Sequence, residues 1–190
     1  MFTELEEARS MLRDAVAAVP ATGWELATPC ADWTVLQVLQ HAALDQLVWA
    51  AALSGTAMPA ENPFAPSGQL ATAPLTFTDE SLAASSQAWT LISGAERVPT
   101  PLPQGELAPS VAAGAAALDA AIHAWDIAVA TGQGSPLTPV LARTLRPVAE
   151  AIVEPLRQYG AYAAVIEVPA GAGDDAALLA YLGRQPDWAA

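Results

Sequence analysis

The segment Leu118-Asp119-Ala120-Ala121-Ile122-His123-Ala124-Trp125-Asp126-Ile127-Ala128 sets one of the chain's two histidines among apolar residues, four positions after one aspartate and three before another. An α-helix turns about 100° per residue, so a helix over 111–131 places Asp119, His123 and Asp126 on one face. Each is costly to bury alone, because an unpaired carboxylate in an apolar setting neutralises or acquires a partner. Three arrangements meet that demand: a divalent cation shared by the group, a face turned to water, or a hydrogen bond between His123 and Asp119 one turn below. A helix so apolar in the rest of its circumference has to be surrounded by other helices.

Working outward, the chain supplies them. Residues 98–109, with prolines at 99, 101, 103 and 109, read as an irregular connection. Before it, Thr78, Asp79 and Glu80 open a helix predicted over 79–95, with Leu82, Ala83, Trp89, Leu91 and Ile92 as its apolar members. Residues 55–77 carry Pro59, Pro63, Pro66 and Pro74 without periodicity and form a crossover loop or lid, longer than a hairpin turn needs. Thr34 is a candidate N-cap for a helix over 35–54, stopped by Ser54 and Gly55. The first helix, over 2–19, repeats Leu5, Ala8, Met11, Leu12, Ala15, Val16 and Val19 at helical intervals, and its early Glu4, Glu6 and Glu7 suit the positive end of the helix dipole. Between these two, Trp24 and Trp33 in one loop indicate that the loop packs back on the helices.

Downstream, Thr138 and Pro139 open a fifth helix over 138–158 that closes near Gly160. Ala164-Val165-Ile166-Glu167-Val168 reads as a strand or an extended strip, and a short helix over 174–182 leads to the C-terminal Gly183-Arg184-Gln185-Pro186-Asp187-Trp188. Five helices with little strand predict an all-α fold: a four-helix bundle with a crossover in the long second-to-third connection, a fifth helix appended, and a short C-terminal segment, in one domain spanning 1–190.

Composition narrows the function classes. With 53% hydrophobic and 14% charged residues the chain is globular and buries a large core. A net charge of −13, with seven Arg as the whole basic complement and no Lys, repels phosphate backbones and anionic lipid, so no nucleic-acid or membrane partner is expected. The most apolar stretch, 35–54, is interrupted by Gln37, Gln40, His41, Asp45 and Gln46, and a cytoplasmic location is the expectation. Cys30, the single cysteine, has no internal disulfide partner and reads either as a small buried hydrophobe or as a reactive thiol. No glycine-rich phosphate loop and no Gly-x-Ser-x-Gly elbow is present.

His41, the second histidine, lies two turns into the apolar helix 35–54. By itself it reads as a satisfied core histidine; together with His123 it reads as half of a site built between facing helices. Arg143 and Arg146 on the fifth helix read as surface ion-pair partners or, alternatively, as pocket arginines for a ligand carboxylate.

Thr28-Pro29-Cys30-Ala31-Asp32-Trp33-Thr34-Val35, then Val38-Leu39-Gln40-His41, then Asp119-x-x-x-His123-Ala124-Trp125-Asp126-Ile127-Ala128 and the ending Leu179 to Trp188 resemble the short actinobacterial metal-binding proteins of the DinB-like superfamily. These are related to the N-terminal domain of mycothiol-dependent maleylpyruvate isomerase. The resemblance implies a four-helix bundle with a crossover and a divalent metal near its mouth, held by His41, Asp119 and His123. Asp119 stands where the isomerase has Glu and many DinB-like proteins have His. Two His and one carboxylate suit Zn²⁺ first, and also Ni²⁺, Mn²⁺ or Fe²⁺. Asp126 and Asp45 are then acceptors that orient the histidines, substitute ligands, or surface charges. The resemblance further implies a thiol-dependent transferase or isomerase, with a low-molecular-weight thiol such as mycothiol as cosubstrate, a small electrophile as substrate, and the 55–77 loop shaping the pocket. A metal-dependent hydrolase and a non-catalytic binding module are the alternatives, and a helix face offers a homodimer contact.

Overall fold

The structure, a computed structural model, describes residues 2–189. Six helices follow one another: α1 (Thr3–Ala17), α2 (Val35–Ser54), α3 (Pro74–Thr90), α4 (Pro109–Ala130), α5 (Pro139–Gln158) and α6 (Asp174–Tyr181). The strands β1 (Val98–Pro99) and β2 (Glu106–Leu107) pair antiparallel as a small hairpin between α3 and α4.

The central element is α4. Pro109 opens it at the position where a missing N–H costs nothing, and Gly132 (φ 73°) closes it, with Gln133 N–H donating to the Ala128 carbonyl at 2.8 Å. Between Ala112 and Ala130 only Asp119 and Val129 are partly exposed. Ala-rich sequence favours the helix locally and lets neighbours approach closely, while Leu118, Trp125 and Ile127 supply large buried side chains worth about 1.5–3 kcal/mol each. Gly114 marks the tightest approach, since a Cβ there would stand 2.7 Å from Val148 Cγ2 of α5.

The main packing pairs are α1 with α4, α4 with α2, α2 with α3 and α3 with α1, which closes a ring of four helices. α5 lies against α4, and α6 against α5. In that ring α2 and α3 are neighbours although the longest connection joins them, and the diagonal steps fall between α1 and α2 and between α3 and α4. The length of the 55–73 connection instead serves to lay a strap along α2. Among the described residues, the one helix long and apolar enough to cross a membrane is α4, which is largely buried in the bundle.

One element differs from expectation, and of the two readings of 164–168 the extended strip holds. The third helix starts at Pro74 and ends at Thr90, about five residues ahead of the predicted 79–95. Thr78 does not cap it; its hydroxyl donates back to the Pro74 carbonyl at 2.9 Å, a bond available only inside a helix. The run 164–168 joins no sheet among the described residues, and its Ile166 N–H goes to the carbonyl of Ala180 at 2.9 Å. The predicted N-cap of α2 is present as a capping box, with Thr34 and Gln37 satisfying one another's backbone N–H groups.

A buried polar cluster joins α1, α2 and α3. Arg9, 3% exposed, donates from Nε to Gln46 Oε1 at 3.2 Å, from Nη2 to Ser85 at 2.6 Å, and from Nη1 to Glu6 at 2.9 Å and Ser86 at 3.2 Å. Ser85 also donates to Gln46 Oε1 at 3.0 Å, and Gln46 Nε2 reaches the Ala116 carbonyl of α4 at 3.5 Å.

Candidate metal centre

α2 and α4 bring the two histidines together, with ring centroids 4.7 Å apart and planes nearly perpendicular. Asp119, one turn before His123, points its Oδ1 between them, 3.4 Å from His41 Nε2 and 3.4 Å from His123 Nε2. The other ring nitrogens are committed. His41 Nδ1 is 2.8 Å from the Pro63 carbonyl, which only accepts, so the hydrogen bond assigns the proton to Nδ1. His123 Nδ1 is 2.9 Å from Asp126 Oδ2, and the same assignment follows. In neutral rings both Nε2 atoms therefore present lone pairs toward a carboxylate oxygen, three acceptors meeting with no donor between them. Asp119 Oδ2 is buried and has no hydrogen-bond partner among the described residues.

Such a convergence needs a positive charge. A proton is one way to supply it: burial opposes the charged form of His123, but the Asp119 charge and hydrogen bonds to Asp119 and Asp126 outweigh it and push the pKa up to about 10. For Asp119, burial is likewise outweighed by His123 and His41, and its carboxyl is held below the usual range. A divalent cation is the other way, and the donor set of two imidazoles and a carboxylate, whose atoms all lie within 4.8 Å of one another, fits it.

Asp126 is fully buried and lies between two donors, His123 on one side and Arg184 on the other, whose Nη2 is 3.0 Å from Oδ2 and Nε 3.4 Å from Oδ1. Asp45 sits one turn beyond His41 with Oδ2 unpartnered; burial and the neighbouring Asp119 charge hold its carboxyl well above the usual range. Cys30, His123 and Asp126 form a second group of convergent donor atoms, but Asp126 is engaged with Arg184, and burial pushes the Cys30 thiol up. Arg143 and Arg146 are spent on exposed ion pairs with Asp174 and Glu150. The buried arginine of the site is Arg184, which sequence reasoning missed.

Aromatic groups and the strap rim the histidines. Trp33 lies 4.9 Å from His41 between centroids, aimed there by a loop that Thr28 ties through Cys30 N–H and the Trp33 carbonyl, with Asp32 in the left-handed region at φ 73°. Phe64, exposed on the strap, is 5.7 Å from the same ring. Gln37 donates to the Pro66 carbonyl, and Gln40 binds Glu61, the Gln69 carbonyl and Gly68 N–H, so one face of α2 latches the strap over residues 61–69. Tyr162 stands at the same end, its ring 6.0 Å from the Arg184 guanidinium, with burial and the Asp119 charge holding its phenol above the ordinary range. Two surface depressions, about 280 Å³ beside Arg9 and Arg13 and about 200 Å³ outside Trp33, are lined by none of the three convergent residues.

The family model described as the mycothiol maleylpyruvate isomerase N-terminal domain matches residues 5–128. Two uncharacterized proteins of Mycobacterium tuberculosis, from strains CDC 1551 and H37Rv, are each 33% identical over 131 residues, covering 67% of this chain and 65% of their own length. The chain thus spans about two thirds of these relatives. Among solved structures, mycothiol-dependent maleylpyruvate isomerase superposes with a TM-score of 0.59 at 20% identity, and a mutant of it with 0.58 at 18%, each over 75% of this chain and 65% of the other. At that identity the likeness shows the shared helical fold. The matched region contains His41, Asp119, His123 and Asp126 and ends before Tyr162 and Arg184.

Proposed function

The chain belongs to the mycothiol maleylpyruvate isomerase N-terminal domain family, and from that membership and the convergent acceptors we propose a divalent-metal-binding bundle that serves a thiol-dependent transfer or isomerisation. The observation that carries the reading is the meeting of His41 Nε2, His123 Nε2 and Asp119 Oδ1 with both Nδ1 atoms already bonded elsewhere. His41, Asp119 and His123 would hold the ion, zinc as first choice, with nickel, manganese or iron compatible with the same donors. A divalent ion there supplies Lewis acidity that favours the thiolate form of a low-molecular-weight thiol such as mycothiol at neutral pH.

The chain's own groups supply the rest. Asp119 offsets positive charge, and the Pro63 carbonyl and Asp126 keep each imidazole turned with Nε2 inward. Trp33 and Phe64 give an apolar wall beside His41 for the body of a small electrophile. Tyr162 stands beside Arg184 at the same end.

A second reading, a metal or small-molecule binding module without catalysis, is favoured by one observation: the strap is latched across α2 beside His41. Metal analysis of protein purified under zinc-replete conditions, beside His41→Ala and His123→Ala, tests what the two readings share. A screen of mycothiol consumption with common electrophiles separates them: turnover that disappears in both variants supports the enzyme, and rates unaffected by the substitutions exclude it.

A further inference from the structure

We propose that Arg184, on the C-terminal turn, is a positioning residue of the metal centre, fixing His123 by way of Asp126; this rests on the metal reading above. The turn is built for the purpose. α6 ends with Gly183 in the left-handed region (φ 81°), its N–H bonded to the Ala180 carbonyl at 3.0 Å while Arg184 N–H reaches the Leu179 carbonyl at 2.9 Å. That paired closure reverses the chain and returns Arg184 toward α4. The turn also closes against residue 163: a Cβ on Gly183 would stand 2.7 Å from Ala163 Cβ and 3.0 Å from that residue's backbone carbon and oxygen, so no other residue fits.

At the end of this path Arg184 is 8% exposed. Its Nη1 donates to the Leu182 carbonyl at 3.2 Å, which anchors the guanidinium to its own turn, while Nη2 and Nε address the two oxygens of Asp126. A planar guanidinium addressing both carboxylate oxygens fixes the carboxylate plane, which a single point donor does not. Oδ2 of that fixed carboxylate is the atom to which His123 Nδ1 donates at 2.9 Å, and the direction of that bond sets where Nε2 points. Arg184 makes no contact with Asp119 or His41 among the described hydrogen bonds and ion pairs, so its influence on the centre passes through Asp126.

The test is titration of metal-free protein with Co²⁺, followed by visible absorption, and with Zn²⁺ against a competing chelator, at one pH, alongside thermal unfolding of the metal-free forms. Arg184→Lys and Arg184→Met are expected to bind about 10- to 100-fold more weakly than wild type, with an altered Co²⁺ spectrum. Arg143→Met, which removes only the exposed pair with Asp174, is expected to bind as wild type. Arg184 variants that unfold at lower temperature yet bind both metals with wild-type affinity and spectrum would overturn the inference and leave Arg184 a purely structural residue. Should Arg184→Met fail to fold, the charge-keeping Arg184→Lys decides on the same criterion. A wild type that binds neither metal refutes the centre itself, and Arg184's role with it.

Discussion

Two buried polar clusters cross the interior of this bundle, and they differ in one respect. Around Arg9 the account closes: the guanidinium meets Gln46, Ser85, Ser86 and Glu6, Ser85 reaches Gln46, and Gln46 passes its own donor to a backbone carbonyl. Around His123 it closes only when positive charge is added: with neutral rings two imidazole nitrogens and a carboxylate oxygen face one another, a proton on His123 supplies one donor, and Asp119 Oδ2 has no partner among the described residues. A closed network orders a core without further help, whereas one that closes only with added positive charge suits a proton or a cation. Composition alone does not separate the two; the direction of each donor does.

The comparison breaks most visibly on metal content. Wild type is expected to carry about one zinc per chain by elemental analysis, His41→Ala and His123→Ala none, and Arg9→Met as much as wild type; equal metal in all four sinks the distinction. On stability, Asp126→Ala strands the buried Arg184 and is expected to cost about 3–5 kcal/mol in urea unfolding of the metal-free protein. The pH profile separates the clusters next. His123 titrates above its ordinary value, so its pairing with Asp119 contributes in full below about pH 6.5 and is lost as pH rises through about 10. The urea midpoint of metal-free protein should fall across that window, and zinc-loaded protein should not show the same fall; a metal-free midpoint that rises instead would contradict that pairing. Arg9→Met, which leaves the Ser85 hydroxyl without its donor and Gln46 Oε1 with only that of Ser85, should cost about 1–3 kcal/mol and leave zinc affinity unchanged. Thr34→Ala, which removes the capping box two turns ahead of His41, is the mildest at about 1 kcal/mol, read by thermal unfolding, again without effect on zinc.

Much of this was legible in the residues. The apolar circumference of α4, the Thr34 cap and the Gly55 stop gave two helices at their observed places, and helical spacing put Asp119, His123 and Asp126 on one face. The third helix was displaced because Thr78-Asp79-Glu80 has the composition of an N-terminus, while Pro74, four residues earlier, has the conformation of one. Arg184 was invisible for a different reason: it meets Asp126 across 58 residues of chain, and Gly183 before it signals a turn without saying where the turn leads. The Pro63 carbonyl that fixes His41 is backbone, which no side-chain pattern reports.

That carbonyl has a thermodynamic consequence. The strap over residues 61–69 supplies a ring-orienting bond to His41 while being latched to the same helix by Gln37 and Gln40. If the proposed centre holds a metal, strap position and metal affinity are therefore linked functions. Any molecule that binds by lifting the strap would weaken the hold on an ion at the proposed centre, and by reciprocity a loaded centre would resist that molecule by the same factor. A molecule seated against the closed strap has the opposite coupling, so the sign of the metal's effect on ligand affinity reports which side of the strap the ligand occupies.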